Sequence, residues 1–217
     1  MDTVAVSQGQ EFIPLWELLL KGGWVMIPLA LLAVIAVYVF FERLFVIQAA
    51  SKMDPTFLNN VKDLVYQGNI DGAITLCKNT DTPLARILEK GLKRLGKPIK
   101  HIEAAIENAA KLEIARIEKN LSTLATISGA APMLGFLGTV TGMIQAFFKI
   151  STAGQNVDPA MLAGGIYEAL ITTATGLAIG IISYVGYNFL VSRIESIVYH
   201  IELYAMDFLD MLQEPVK

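Results

Sequence analysis

Glu168 is the one acidic or basic residue deep within the long apolar stretches of this chain, and a charged side chain at mid-bilayer costs about 2.5–3.5 kcal/mol on insertion scales. A residue so costly to bury is a candidate for proton exchange, because a carboxyl held away from bulk water can exist in both protonation states. At about 100° per residue, Thr172, Thr175, Ile179, Ser183 and Gly186 fall within about 60° of it, a polar and small stripe down one side of a helix. Such a stripe has to face protein or a water-lined path. Leu170, Leu177 and Ile181 lie on the opposite side and suit lipid or another helix. The competing reading is that Glu168 only hydrogen-bonds a neighbouring helix or lies in the membrane interface. Thr139, Thr172, Thr173 and Thr175 add hydroxyls, although hydroxyls in membrane helices commonly bond their own backbone.

The elements that must hold these residues are transmembrane helices. Of 217 residues, 54% are hydrophobic and 17% charged, with a mean hydropathy of +0.52, which places the chain in the membrane class. Gly22 to Phe41 is uncharged for 20 residues, Leu121 to Phe148 for 28 and Ala169 to Ser192 for 24. About 20 residues cross the hydrocarbon, so three spans are expected. The third extends back through Ala160, interrupted only by Glu168, which gives spans at 22–41, 121–148 and 160–192.

Between Glu42 and Ser122 there are 13 Lys plus Arg, and the positive-inside rule therefore puts residues 42–120 in the cytoplasm. Residues 1–21 and the loop at 149–159 then face outward, and the tail 193–217 is cytoplasmic. Met1 to Gln10 lacks signal-peptide character, and Phe12 to Lys21, with Trp16, is expected to lie flat in the outer interface or to be a disordered leader. In the cytoplasmic segment Asp54 and Pro55 open a helix that stops at Gly68 and Asn69. Others are expected over Ile70 to Lys78 and Pro83 to Leu95. From Ile99 the apolar period runs on without a proline or glycine into the second span, which predicts one helix of about 50 residues.

In the second span Ala131, Gly135, Gly138 and Gly142 recur at steps of four, three and four, and Gly176 and Gly180 form a GxxxG in the third. Small residues let backbones approach closely, a main source of helix association in lipid. Pro132 is expected to bend its helix, with Ser128 near a freed carbonyl. Several other signals carry little. Gly91, Gly96 and Lys97 have phosphate-loop spacing, but Pro98 stands where a Ser or Thr would hold magnesium. Cys77 reads as a small core filler, His101 and His200 stand alone, and no metal or cofactor set is expected. With a net charge of −3 the chain offers no large basic surface to nucleic acid, and no catalytic constellation marks an enzyme.

The stretches AAPMLGFLGTVTGMIQAF and GGIYEALITTATGLAIGIISYVGYN closely resemble the paired signature of the MotA/TolQ/ExbB proton-channel family, and GNIDGAITLCKNTDTPLARILEKGL resembles its cytoplasmic helical domain. The three-span layout is similar to the ExbB/TolQ branch rather than to the four-span flagellar stators. The resemblance implies that Glu168 is the membrane carboxylate, Thr139 the second-span threonine and Thr173 the third-span threonine. It also implies an all-α pentameric ring with a single-span ExbD/TolR-type partner in its pore, and a TonB/TolA-type protein carrying force onward from the bacterial inner membrane. Gly180-Ile181-Ile182 departs from the family's usual Ala-Ile-Pro, which weakens the case for a kink in the third span. Thr173 lies about 140° from Glu168 on a helical wheel, so it is expected to meet a different helix or subunit. Thr172 and Thr175 are better placed to share the glutamate's path.

The expected function is a proton-channel subunit that couples proton motive force to mechanical work. The chief rival is a passive scaffold for partner helices, in which small-residue packing is the whole story. A secondary transporter would show matched repeats and broken helices, and three unequal spans without repeat symmetry speak against it.

Overall fold

The computed structural model describes residues 22–51, 55–153 and 159–213, and every regular element among them is helical. In chain order these are α1 (Met26–Ala50), α2 (Pro55–Tyr66), α3 (Ile70–Asn79), α4 (Pro83–Leu92), α5 (Ile99–Glu118), α6 (Leu121–Ala153) and α7 (Pro159–Gln213). Three stretches are long and apolar enough to cross a membrane: α1, the stretch containing α6, and α7. The protein is an all-α, multi-pass membrane protein. The expected interfacial segment 12–21, the Asp54 cap and most of the loop 149–159 lie outside the described residues.

Three expectations need correction. The helix of the first span starts at Met26, after a turn at Gly22–Val25, and continues past Phe41 to Ala50. In that continuation Arg43 is only 5% exposed and is bound by Glu42 and by the Arg116 carbonyl at 3.3 Å. The helix expected to run unbroken from Ile99 is divided at Lys119 and Asn120. Asn120 takes φ 62°, a left-handed conformation that asparagine tolerates better than most residues, and the chain restarts with Thr123 N–H donating to the Asn120 carbonyl at 3.1 Å. Finally α4 ends at Leu92 rather than Leu95. Its last turn tightens, with Arg94 N–H donating to Gly91 and Leu95 N–H to Leu92, before Gly96 at φ 86°.

The chain forms two compact units. One contains the described residues up to Ala36 together with Thr126–Ser183, and the other Val37–Ala125 with the residues from Tyr184. The second is a helical cluster in which α2 packs on α3, α3 on α4 and α4 on α5. Its short helices begin where the sequence supplies caps: the Asn69 side chain accepts from Gly72 N–H at 3.0 Å and Thr82 from Ala85 N–H at 3.3 Å, with Pro83 in the first turn. Leu84, Ile87, Leu88, Ile201 and Phe208 are fully buried in it. Gly91 has to be small there, since a Cβ would lie 2.8 Å from Ile106 Cδ1 and 3.3 Å from Phe208. Cys77 is a buried member of this core, and burial, reinforced by Glu89, pushes its thiol up to about 12. A thiol so rarely ionised is chemically quiet.

The polar anchor of this unit is Glu113. Its carboxylate is buried and accepts from Arg86 Nε at 2.9 Å and from Arg116 at 2.6 Å, while Arg86 also pairs with Asp81. The Glu113 hydrogen bond, ahead of its charge, holds the Arg86 guanidinium above its ordinary value. Both arginines keep part of their surface in water and can rehydrate when unpaired. Glu113→Ala is therefore expected to destabilise the protein by about 2 kcal/mol, in the range for hydrogen bonds to charged groups. Detergent-phase denaturant titration measures it, and an unchanged midpoint would mean that the network contributes nothing.

Candidate functional site

In the unit containing Glu168, α6 and α7 pair antiparallel along their small residues. A Cβ on Gly142 would touch Ala169 and the Gly165 carbonyl oxygen, both at 3.3 Å, and one on Gly138 would collide with Thr172. On Gly135 it would lie 2.8 Å from the Thr172 carbonyl oxygen, and on Gly176 it would lie 2.5 Å from the Ala131 carbonyl oxygen and 2.9 Å from Gly135 Cα. Gly180 faces the Pro132 ring, with the Ser128 carbonyl oxygen 3.0 Å from a Cβ placed there. Backbone therefore meets backbone over several turns. Gly165, which faces the Ala146 methyl, belongs to this seam and escapes a search for GxxxG pairs because the residues four positions away, Met161 and Ala169, are not glycine.

Two hydroxyls join the helices across the seam. Thr139 and Thr173 hydrogen-bond each other; Thr139 also reaches the Ala169 carbonyl at 3.1 Å and Thr173 the Gly135 carbonyl at 3.2 Å. Thr173 does meet a different helix, and that helix belongs to the same chain. Thr172 is only 1% exposed; it lies against Gly138 and donates within its own helix, to Ala169 at 2.9 Å and more weakly to Glu168 at 3.3 Å. The Ala169 carbonyl thus accepts from threonines of both helices. Thr175 is half-buried. Ser183, further along the same stripe, is buried with its hydroxyl unpartnered among the described residues. Thr139→Val and Thr173→Val should each destabilise the hairpin, and a double-mutant cycle in SDS unfolding should give a coupling of about 0.6 kcal/mol, at most about 1.7. A coupling of zero would show that the pair is not formed in the membrane.

Glu168 stands more than two turns inside α7 and is half-buried within the chain. Its carboxyl lies against the backbone of Gly23, in the turn ahead of α1. The next turn of α7 brings Ile171 against Gly22. Sequence reasoning misses Gly22 and Gly23, because two glycines at the end of an apolar stretch read as the start of a span. Leu170 and Ile181 on the far side are each 62% exposed within the single chain, as suits contact with lipid or other helices. No group of three metal-ligating side chains occurs among the described residues.

Residues 79–203 match the model of the MotA/TolQ/ExbB proton channel family. Among curated proteins, the chain is 33% identical over 175 residues to a putative biopolymer transport protein, ExbB-like 1, of Synechocystis, covering 80% of this chain and 69% of that one. It is 30% identical over 188 residues to a putative ExbB homolog of Methanothermobacter thermautotrophicus, where the match takes in 86% of this chain and 66% of the relative. With the biopolymer transport protein ExbB of Xanthomonas campestris it shares 33% identity over 110 residues, half of this chain and 43% of the other.

Proposed function

The chain belongs to the MotA/TolQ/ExbB proton channel family, in its ExbB branch, and from that footing we propose that it is the proton-channel subunit of an inner-membrane motor coupling proton motive force to mechanical work on the cell envelope. The observation that carries this reading is Glu168, the one carboxyl between residues 160 and 192, set in an apolar helix beside a tightly packed, hydroxyl-bearing seam. Its contact with Gly23, in the turn that opens α1, puts it near one end of the first apolar stretch rather than at mid-span, and proton exchange is a task that a carboxyl so held performs.

In this proposal protons reach Glu168 from the outer side, neutralise it, and leave to the cytoplasm along hydroxyls and ordered water, with Thr172 and Thr175 on the glutamate's own helix face and Thr139 and Thr173 on the adjoining seam. Five copies form a ring around the single-span helices of an ExbD/TolR-type partner, whose aspartate faces the glutamates. A TonB/TolA-type protein passes the force on. The N-terminus lies outside the bacterial inner membrane and the C-terminus in the cytoplasm. Each charge crossing 100 mV releases about 2.3 kcal/mol, enough to bias packed states that differ little. Five glutamates around two partner helices are not equivalent, so sequential protonation can turn the inner helices.

Close packing of α6 on α7 equally favours a passive scaffold, and one experiment separates the two readings. The protein and its single-span partner are reconstituted into liposomes, and an inward potential is imposed. A proton current that needs both proteins supports the channel. Liposomes as tight as protein-free ones would leave the scaffold standing.

A further inference from the structure

Gly23 is the residue whose backbone the Glu168 carboxyl touches, and two separate observations require it to be glycine. Its φ is 67°, in the left-handed region that side chains other than glycine rarely adopt. A Cβ built on it would also coincide with Glu168 Oε1 and lie 2.8 Å from Cδ and 3.5 Å from Cγ. The carboxyl therefore occupies the volume that any side chain at position 23 would fill. The neighbouring Gly22 differs in what it faces. What a Cβ there would meet most closely is the Met26 side chain, at 2.5 Å from Cγ and 2.7 Å from Sδ.

The turn that carries Gly23 is not free to step aside. Met26 N–H donates to the Gly23 carbonyl and Ile27 N–H to the Trp24 carbonyl, both at 3.2 Å. Val25 and Leu29, on either side of the first helical residues, are buried, and Ile171, one turn beyond Glu168, packs on Gly22. A methyl group at position 23 thus has to displace the carboxyl rather than the backbone.

We propose that Gly23 is a positioning residue for Glu168: its bare Cα forms the wall against which the carboxyl rests, so that the turn leading into α1 sets the direction in which that carboxyl points. This rests on the reading of Glu168 as the proton carrier. The consequence is that the first span takes part in proton transfer through its backbone.

The test uses the full chain with its single-span partner in liposomes, read by proton flux and by infrared difference spectra after carbon-13 labelling of glutamate, with Glu168→Gln identifying the Glu168 band. Gly23→Ala is expected to assemble, to shift that band and to lower the flux about tenfold or more, as expected when a reacting group is misplaced by about an ångström. Gly129→Ala, with nothing within 4 Å of the added carbon, should stay within about twofold of the unsubstituted protein. An assembled Gly23→Ala protein with unchanged band and flux overturns the proposal. If Gly23→Ala does not assemble, removal of the colliding side chain in Gly23→Ala with Glu168→Ala should restore assembly. Failure of that double variant would show that position 23 acts through its own backbone alone, which also overturns the proposal. A Glu168→Gln protein that still conducts defeats the carrier reading, whereas the Gly23→Ala band shift still decides the positioning.

Discussion

Glu168→Gln is expected to bring the partner-dependent proton current down to that of protein-free liposomes, while the amount of assembled protein in the membrane stays the same. Glutamine has nearly the same volume and can keep a polar contact with the Gly23 backbone, so helix packing has little reason to change. It has no proton to exchange, and that is the only property removed. The hydroxyl variants should act differently: in Thr172→Val the lost bonds run within α7, and water can still bridge along the path, so the current should fall without vanishing. The driving force does not distinguish these variants, since about 2.3 kcal/mol per charge at 100 mV is available to each. What distinguishes them is whether a group remains that can hold the charge part-way. A glutamine variant that conducts like the unsubstituted protein would remove Glu168 from the route.

The second large effect is expected at Gly176. A methyl there meets Ala131 O at 2.5 Å, Gly135 Cα at 2.9 Å and Gly135 N at 3.1 Å. All three are backbone atoms of α6, so no side chain can swing out of the way and the helices themselves have to separate. Overpacking of this kind costs about 1–3 kcal/mol and sometimes more. In lipid no gain from water release offsets a lost close approach. Gly176→Ala should therefore lower the SDS-unfolding midpoint of the purified protein, and Gly176→Val should prevent a stable fold. Gly164→Ala, with nothing within 4 Å of the added carbon, should stay within about 0.5 kcal/mol of the unsubstituted protein. If Gly176→Ala and Gly164→Ala unfold alike, the seam does not bear on stability.

The helical class, the three apolar stretches and the short capped helices are readable from residue types, because each depends on local rules. Proline and side-chain oxygens at helix starts, and glycine after helix ends, act within one turn of themselves. The division at Asn120 is not readable in the same way. Nothing in Lys119-Asn120 forbids a helix, since the left-handed conformation seen at Asn120 is one that asparagine permits without requiring. The continuation of α1 past Phe41 escapes for a related reason. Glu42 and Arg43 look like the end of an apolar span, yet the arginine is buried by a carbonyl 73 residues away in sequence.

The site divides along the same line. The stripe on α7 follows from helical period alone, and Thr173 facing another helix follows from its angle to Glu168. That the other helix carries Thr139, and that the two hydroxyls bond each other, is a tertiary fact. Gly23 is the clearest case. The glycine pair reads as the start of a span, and no pattern within that span says that a carboxyl 145 residues later fills the space beside Gly23.

A density map of the assembled protein in lipid, resolved well enough to place the Glu168 side chain, tests the central claim most directly. The predicted result is a carboxyl beside the Gly23 backbone that opens onto an enclosed, protein-lined passage next to partner helices. A carboxyl directed at acyl chains with no lumen beside it, or lying in open solvent outside the ring, would contradict it.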